Sequence, residues 1–176
     1  MMLNCRRLSR SFLLFAGIEL ATFPARGQVV CLGASNTAAH SVSAQDAYPA
    51  QLEAMLRAKG YVGRVANEGI SGDTTSGMLS RLDIAVPPGT RVVVLQPGGN
   101  DARRGIGNER AARISEIVER LKARHITVVM FENQMLAALI RQGYGSDGTH
   151  LTAAGYRLLA AQLLPEVATA LGLPAK

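Results

Sequence analysis

Three residues have types and spacing that suit nucleophilic catalysis: Ser35, Asp147 and His150. Ser35 follows a short apolar run that ends at Gly33, so we expect its hydroxyl on the turn that leaves a strand. His150 comes three residues after Asp147, which lets the carboxylate reach Nδ1 of the imidazole and leaves Nε2 for the serine. A serine hydroxyl becomes a useful nucleophile when a base takes its proton and a third group orients that base. We therefore predict Ser35 as nucleophile, His150 as base and Asp147 as orienting acid.

Acyl transfer also requires hydrogen-bond donors aimed at the oxyanion that develops on the substrate carbonyl. Gly69, in the segment 67–72, offers a backbone N–H with no side chain in the way. Asn100 offers a side-chain amide and follows Gly98 and Gly99, which let the backbone approach a ligand closely. Both residues are predicted donors to the oxyanion.

Two further histidines and two arginines have weaker claims on the chemistry. His40 is close to Ser35 in sequence and is the rival base, but the first carboxylate after it is Asp46. His125 follows a predicted helix and is expected to face solvent. Arg103 and Arg104 follow Asn100 and either contact an anionic substrate or are ordinary exposed loop arginines.

Short apolar runs alternate with longer segments of helical periodicity, which predicts βαβ units, a parallel sheet and right-handed crossovers. The predicted strands are 29–33, 61–66, 91–96 and 126–131. The predicted helices are 47–59, 74–86, 108–125 with Asn108 as its cap, 133–141 (or a lid) and 153–171, interrupted at Pro165. In such a sheet the functional loops lie at the carboxyl ends of the strands, where Ser35, Gly69 and Asn100 fall.

These segments resemble, in order, the sequence blocks of the SGNH (GDSL) hydrolases. The matching residues are Gly33-Ala34-Ser35, Gly69 in Asn-x-Gly-x-x-Gly, Gly98-Gly99-Asn100-Asp101, and Asp147-x-x-His150. The resemblance extends from about Gln28 to the end of the last helix and is greatest to the bacterial acyl-CoA thioesterase/lysophospholipase (arylesterase-like) group. It implies a flavodoxin-like three-layer α/β/α sandwich with a parallel sheet of four to five strands and no metal or cofactor. It also implies an oxyanion hole made by the N–H groups of Ser35 and Gly69 and by Asn100.

The chain departs from the family pattern in two places. Ala34 stands where the family has an acid before the nucleophile, so any hydrogen bonds that this acid makes are lost. The stretch between Asn100 and Asp147 is short for the family, so a fifth strand or a substrate-lining segment is missing or reduced to 133–144. Within that segment, Met135, Leu136, Leu139 and Ile140 either line an acyl pocket or pack in the core.

The predicted function is hydrolysis of carboxylic esters or thioesters, of small or acyl-chain substrates, through an acyl-enzyme. One alternative is a carbohydrate O-deacetylase on the same scaffold, which the absence of Trp disfavours. Another is a non-catalytic flavodoxin-like binding module, but neither Gly-x-Gly-x-x-Gly nor a P-loop follows the first strand. Thr37 replaces the glycine that a Gly-x-Ser-x-Gly nucleophile elbow requires, so the α/β-hydrolase fold is disfavoured as well.

The N-terminus reads as a targeting segment. Arg6, Arg7 and Arg10 precede the apolar run 12–18, and small residues lie just before Gln28, which predicts a signal peptide or a disordered leader over 1–27 and one hydrolase domain over 28–176. We therefore expect a periplasmic or secreted protein, or a cytoplasmic one if the leader is not a signal. Half of the net charge of +6 comes from this leader, and the remaining charges alternate along predicted helices. We therefore expect a small-molecule ester or thioester as partner, no nucleic acid and no stable membrane insertion. Cys31, in the first apolar run, is expected to be an inert core residue.

Overall fold

The computed structural model describes residues 29–174. Four parallel strands form one sheet: β1 (Val29–Gly33), β2 (Val65–Gly69), β3 (Val92–Gln96) and β4 (Thr127–Met130), in the order β2-β1-β3-β4. All residues of β1 and β3 are buried, as expected for the apolar central strands of a parallel sheet. The chain reverses direction along the sheet after β2, so the carboxyl ends of β1 and β3 flank the switch point.

Helices cover both faces of the sheet and complete three layers. They are α1 (Tyr48–Ala58), α2 (Thr75–Ser80), α3 (Leu82–Ala85), α4 (Asn100–Arg103), α5 (Arg110–Ala123), α6 (Asn133–Leu139) and α7 (Ala153–Ala170). Val29 and Cys31 of β1 face a cluster supplied by α1 and α7, and Val30 and Leu32 face one supplied by α2, α3 and α5. The predicted α/β three-layer fold is confirmed, and the described part of the sheet has four strands.

The second strand begins four residues later than the sequence predicts. Residues 61–64 form an irregular segment with a bend at Gly63 instead, in which the Tyr61 hydroxyl donates to the Arg64 carbonyl at 3.3 Å. β2 then pairs with β1 from Val65↔Val29 to Gly69↔Gly33. Among the described strands β2 pairs with β1 alone, so it accommodates Asn67 and Glu68, whose polarity is untypical of a buried strand. Gly69 is therefore the last residue of a strand, and not part of the following loop.

Two helices differ from their predicted form. The predicted helix 74–86 is divided into α2 and α3 at Arg81, whose backbone leaves the helical region while its guanidinium donates to the Glu68 carbonyl. By contrast, α7 continues through Pro165 without interruption. Pro165 lies on the exposed face of α7, so solvent can satisfy the backbone carbonyl that loses its partner there.

The segment between Asn100 and Asp147 contains no fifth strand. Residues 133–144 form α6 and a wide turn, Ile140–Tyr144, in which Gly143 has a φ of 89°. Further upstream, α5 begins at Arg110 after the 3-10 turn Gly107–Glu109, so Asn108 is not its N-cap. His125 is exposed, as predicted.

The predicted leader over 1–27 lies outside the described residues. Among residues 29–174, no helix combines the length and the apolar character required to cross a bilayer. Cys31 is fully buried, and this burial raises the pKa of its thiol to about 12. The thiol therefore stays protonated and acts as a small apolar core residue, as predicted.

Candidate active site

Ser35 lies on a tight turn immediately after β1. The N–H groups of Thr37 and Ala38 both donate to the Ala34 carbonyl, at 3.0 and 2.9 Å. The turn is anchored to the neighbouring strand because the Ala34 N–H donates to Oε1 of Gln96 at 2.9 Å. Only glycine fits at position 33, since a Cβ there would lie 2.2 Å from Oγ1 of Thr37. The hydrogen bonds of this turn hold Ser35 at the carboxyl end of the sheet in the absence of the acid that Ala34 replaces.

The structure brings Ser35, His150 and Asp147 together in one hydrogen-bonded relay. Nε2 of His150 lies 2.9 Å from Oγ of Ser35, and Nδ1 lies 2.7 Å from Oδ2 of Asp147. His150 is 8% exposed, whereas the Asp147 side chain is 46% exposed. The imidazole is thus held between the hydroxyl and the carboxylate at hydrogen-bond distances.

Asp147 also organises its own loop. Its Oδ1 accepts the backbone N–H groups of Thr149 and His150 at 2.9 and 2.8 Å. The hydrogen bond from the His150 side chain, supported by these two backbone donors, lowers the pKa of Asp147 to about 2. Asp147 is therefore ionised at neutral pH, and an ionised carboxylate at Nδ1 favours the tautomer whose Nε2 lone pair faces Ser35.

The candidate oxyanion donors have different surroundings. The Ser35 N–H has no hydrogen-bond partner within residues 29–174. One hydrogen of the Asn100 amide is used, since Nδ2 donates to the Asp73 carbonyl at 2.8 Å. The Gly69 N–H donates to Oδ1 of Asn67 at 3.0 Å, so it must leave this partner before it can serve a substrate.

Ser35 and Asn100 line a common cavity of about 250 Å³, and Gly69 does not line it. Leu136 and Ile140 form an apolar wall of this cavity. All four apolar residues proposed for an acyl pocket pack in or against the core, and only Leu136 and Ile140 of the four also line the cavity. Gly69 lies behind the Ser35 turn, where a Cβ would come within 2.2 Å of the Ala38 nitrogen.

Asn36 joins the two halves of the relay, and sequence reasoning missed it. It is 4% exposed, its Nδ2 donates to the Thr149 carbonyl at 3.2 Å, and its Oδ1 accepts from the Tyr156 hydroxyl at 2.9 Å. The sequence shows only an amide next to the candidate nucleophile. It does not show the partners of that amide, Thr149 and Tyr156, because both lie more than a hundred residues away.

Arg81 is a second residue that the sequence did not single out. Its guanidinium donates to Oδ2 of Asp73 at 2.9 Å and to the Glu68 carbonyl at 2.9 Å. Because the Asp73 carbonyl accepts the Asn100 amide, Arg81 connects the end of β2 to the loop that orients Asn100. The residue that makes these contacts is also the one at which α2 ends and α3 begins.

The His40 side chain contacts the base, whereas its backbone N–H donates to the Ser35 carbonyl at 3.1 Å. Its ring centroid lies 4.3 Å from that of His150, and among residues 29–174 no hydrogen bond joins its side chain to Ser35. Ligand atoms of His40, Asp147 and His150 lie within 4.8 Å of one another, and zinc accepts these ligand types. Both ring nitrogens of His150 are already hydrogen-bonded, however, which suits proton transfer better than metal binding.

The side chains of the two arginines after Asn100 have different surroundings. Arg103 lines the cavity, whereas Arg104 turns away from it and donates from Nη2 to the Gly72 carbonyl at 2.9 Å.

Comparisons with known proteins identify one family. The model of the GDSL-like lipase/acylhydrolase family matches residues 31–142. The esterase TesA of Pseudomonas aeruginosa is 37% identical over 79 residues, a match that covers 44% of this chain but only 39% of that protein.

Two solved structures share the fold over most of the chain. AlinE4, described as an SGNH-hydrolase family esterase, is 26% identical with a TM-score of 0.56 and is matched over 83% of this chain and 96% of its own. The psychrotrophic esterase EstA from Pseudoalteromonas sp. has a TM-score of 0.69 over 84% of this chain and 99% of its own, and at 17% identity it shows the fold alone.

Proposed function

The chain belongs to the GDSL-like lipase/acylhydrolase family, and we propose that it is a serine hydrolase of carboxylic esters or thioesters that works through an acyl-enzyme. The observation that supports this proposal most is the unbroken relay from Asp147 through His150 to Ser35, at 2.7 and 2.9 Å. A non-catalytic flavodoxin-like module has no need of such a relay beside a cavity.

In the acylation half-reaction, Ser35 Oγ attacks the carbonyl carbon while its proton passes to Nε2 of His150. A bond forms between Oγ and the carbonyl carbon, and the electron pair of the carbonyl moves onto its oxygen. When this tetrahedral intermediate collapses, the bond to the alcohol or thiol breaks and His150 returns the proton to that leaving group. The substrate acyl group is then an ester of Ser35.

Deacylation repeats these steps with water as the nucleophile. His150 takes a proton from water as the water oxygen attacks the acyl carbon, and it then returns the proton to Ser35 Oγ as that bond breaks. The products are a carboxylic acid and free enzyme, and water is the only co-reactant. Asp147 stays ionised throughout and stabilises the imidazolium that forms in each half-reaction.

Two donors are available for the oxyanion without rearrangement. They are the unpartnered Ser35 N–H and the second hydrogen of the Asn100 amide, whose first hydrogen is fixed on the Asp73 carbonyl. Fixing one hydrogen orients the other in advance, and such preorganised donors lower the barrier to acyl transfer. The Gly69 N–H joins them once it leaves Asn67.

The cavity beside Ser35 favours short acyl groups, since its volume of about 250 Å³ is below the usual range for drug-sized ligands. A short acyl group is also compatible with the carbohydrate O-deacetylase alternative. A substrate panel distinguishes these possibilities: p-nitrophenyl esters of increasing acyl length, an acyl-CoA and an acetylated sugar. We expect kcat/KM to be highest for the short p-nitrophenyl esters. Hydrolysis of the acetylated sugar alone would favour the deacetylase, and no hydrolysis of any substrate would contradict the proposal.

We further propose export to the periplasm or secretion, which the basic and apolar pattern of residues 1–27 supports. N-terminal sequencing of the protein from the periplasm of a bacterial host tests this point. A mature chain that begins near Gln28 is expected, and an uncleaved cytoplasmic chain would contradict export.

A further inference from the structure

The cavity beside Ser35 has an uneven distribution of charge. Of its described lining residues, Arg103 alone carries a charged side chain, and none is acidic. Arg103 is the last residue of α4 and lies one turn after Asn100, so the two share a face of that helix. The candidate oxyanion donor and a guanidinium therefore lie on the same wall of the cavity.

Arg103 has no internal partner. Within residues 29–174 its guanidinium makes no hydrogen bond or ion pair, in contrast to Arg104 and Arg110, which donate to the carbonyls of Gly72 and Gly98. The nearest acid in sequence, Asp101, is fully buried and accepts the N–H and the hydroxyl of Thr75. Nothing described in the structure neutralises the charge of Arg103.

The apolar part of the cavity lining comes mainly from α6 and the turn after it. Leu136, Ala137 and Ile140 line this side. The Arg103 side chain is exposed, and no acidic side chain of the described lining competes with an anionic substrate for its guanidinium. Guanidinium groups also match the planar, two-oxygen geometry of carboxylates and phosphates.

We propose that Arg103 forms an anion subsite that selects short esters or thioesters carrying a carboxylate or phosphate a few bonds from the scissile carbonyl. The inference rests on the proposed hydrolase function and narrows its substrate class. The anion belongs to either the acyl or the alcohol part of the substrate, and the two arms of the test distinguish them.

The acyl arm compares mono-p-nitrophenyl glutarate with p-nitrophenyl valerate, which have the same leaving group and acyl length. The alcohol arm compares 4-acetoxybenzoate with 4-methylphenyl acetate. In the arm whose substrate places the anion where Arg103 can bind it, Arg103→Gln is expected to lower kcat/KM for the anionic ester about tenfold or more, mainly through KM. Its kcat/KM for the neutral ester should stay within about twofold of wild type, and Arg103→Lys should restore part of the preference.

Arg104→Gln is the matched control, because Arg104 is adjacent but turned away to the Gly72 carbonyl. It should leave the ratio of anionic to neutral kcat/KM unchanged, whereas added NaCl should reduce that ratio in the wild-type enzyme. The subsite would be overturned if the ratio of anionic to neutral kcat/KM were the same in wild type and Arg103→Gln in both arms. Continued hydrolysis of the neutral esters in that case would leave the hydrolase function intact.

A binding measurement separates the subsite from turnover. Glutarate is titrated into the Ser35→Ala protein, with binding followed by NMR chemical shifts. We expect saturable shifts around α4 that are lost in the Ser35→Ala/Arg103→Gln protein. Equal shifts in the two proteins would overturn the subsite. Saturable binding in a protein that hydrolyses no ester would instead retain the subsite and contradict the proposed function.

Discussion

Asn36 donates from Nδ2 to the Thr149 carbonyl at 3.2 Å and thereby ties the nucleophile turn to the histidine loop. The same side chain accepts the buried Tyr156 hydroxyl, so it also anchors both segments to α7. The relay thus depends on a residue that touches neither the proton nor the substrate carbonyl, and we assign Asn36 a positioning role.

Asn36→Ala is expected to lower kcat about tenfold or more with a smaller change in KM, because His150 loses its alignment with Ser35 while only one of the side chains that line the cavity is shortened. It should also lower the free energy of unfolding by about 1–3 kcal/mol, since the buried Tyr156 hydroxyl loses its acceptor. Tyr156→Phe is the matched control: it removes that hydroxyl but keeps the Asn36–Thr149 hydrogen bond, so kcat should change much less. Equal losses of kcat in both variants would reduce Asn36 to a structural role.

The Asp147 carboxylate should not contribute to the pH dependence of the reaction. The pKa of Asp147, lowered from 3.8 to about 2 by its hydrogen bonds, keeps this carboxylate ionised throughout the range of assay. A histidine base accepts the proton of Ser35 only in its neutral form, so kcat/KM is expected to rise with pH. The lowered pKa of Asp147 also makes the stability of its loop depend on pH. The ionised carboxylate stabilises the loop above the unfolded pKa, and this contribution is lost as the pH falls from about 4 towards 2. A profile of kcat/KM that is flat between about pH 5 and 8 would argue against a histidine base.

Asp147→Asn tests the orienting acid against the rival arrangement around His40. The substitution preserves an oxygen that can accept the N–H groups of Thr149 and His150, so the fold and the melting temperature should change little. kcat should fall sharply, by up to about 10⁴-fold, because the amide favours the wrong imidazole tautomer. His40→Ala should keep kcat within a few-fold of wild type, since no side-chain hydrogen bond within residues 29–174 joins His40 to Ser35. An inactive His40→Ala beside an active His150→Ala would transfer the role of base to His40.

Asn100→Ala removes the preorganised side-chain donor to the oxyanion. We expect kcat to fall about 10²–10³-fold with KM nearly constant, because this hydrogen bond strengthens mainly in the transition state. Asn133→Ala provides a control, since Asn133 lines the same cavity but its amide faces the Gly98 carbonyl at 3.4 Å. If Asn100→Ala raised KM alone, Asn100 would bind the ground-state substrate or shape the loop instead.

The sequence predicts those parts of the site that depend on local spacing. Asp147 and His150 lie on one short loop, and Ser35 and Asn100 follow strongly apolar strands, so parallel pairing places them at one edge of the sheet. The start of the edge strand β2 was predicted four residues too early, because its polar residues give a weak strand signal and because Tyr61 and Val62 suggest a strand where the chain is irregular.

Long-range polar contacts were beyond sequence reasoning. The partners of Asn36 lie at Thr149 and Tyr156, and Arg81 reaches back to the ends of β1 and β2. No periodicity encodes such pairs, since each depends on how separate elements meet in the folded chain.

Covalent trapping of Ser35 shows directly whether its hydroxyl is the nucleophile. Wild type and Ser35→Ala are incubated with a fluorophosphonate, digested and analysed by mass spectrometry, and each is assayed on a short p-nitrophenyl ester. We expect one adduct on the peptide that contains Ser35 and no adduct in Ser35→Ala. The Ser35→Ala protein should lose several orders of magnitude in kcat at an unchanged melting temperature. A folded Ser35→Ala protein that retains more than about a tenth of wild-type kcat would contradict the assignment of Ser35 as nucleophile, because relay residues act as a unit.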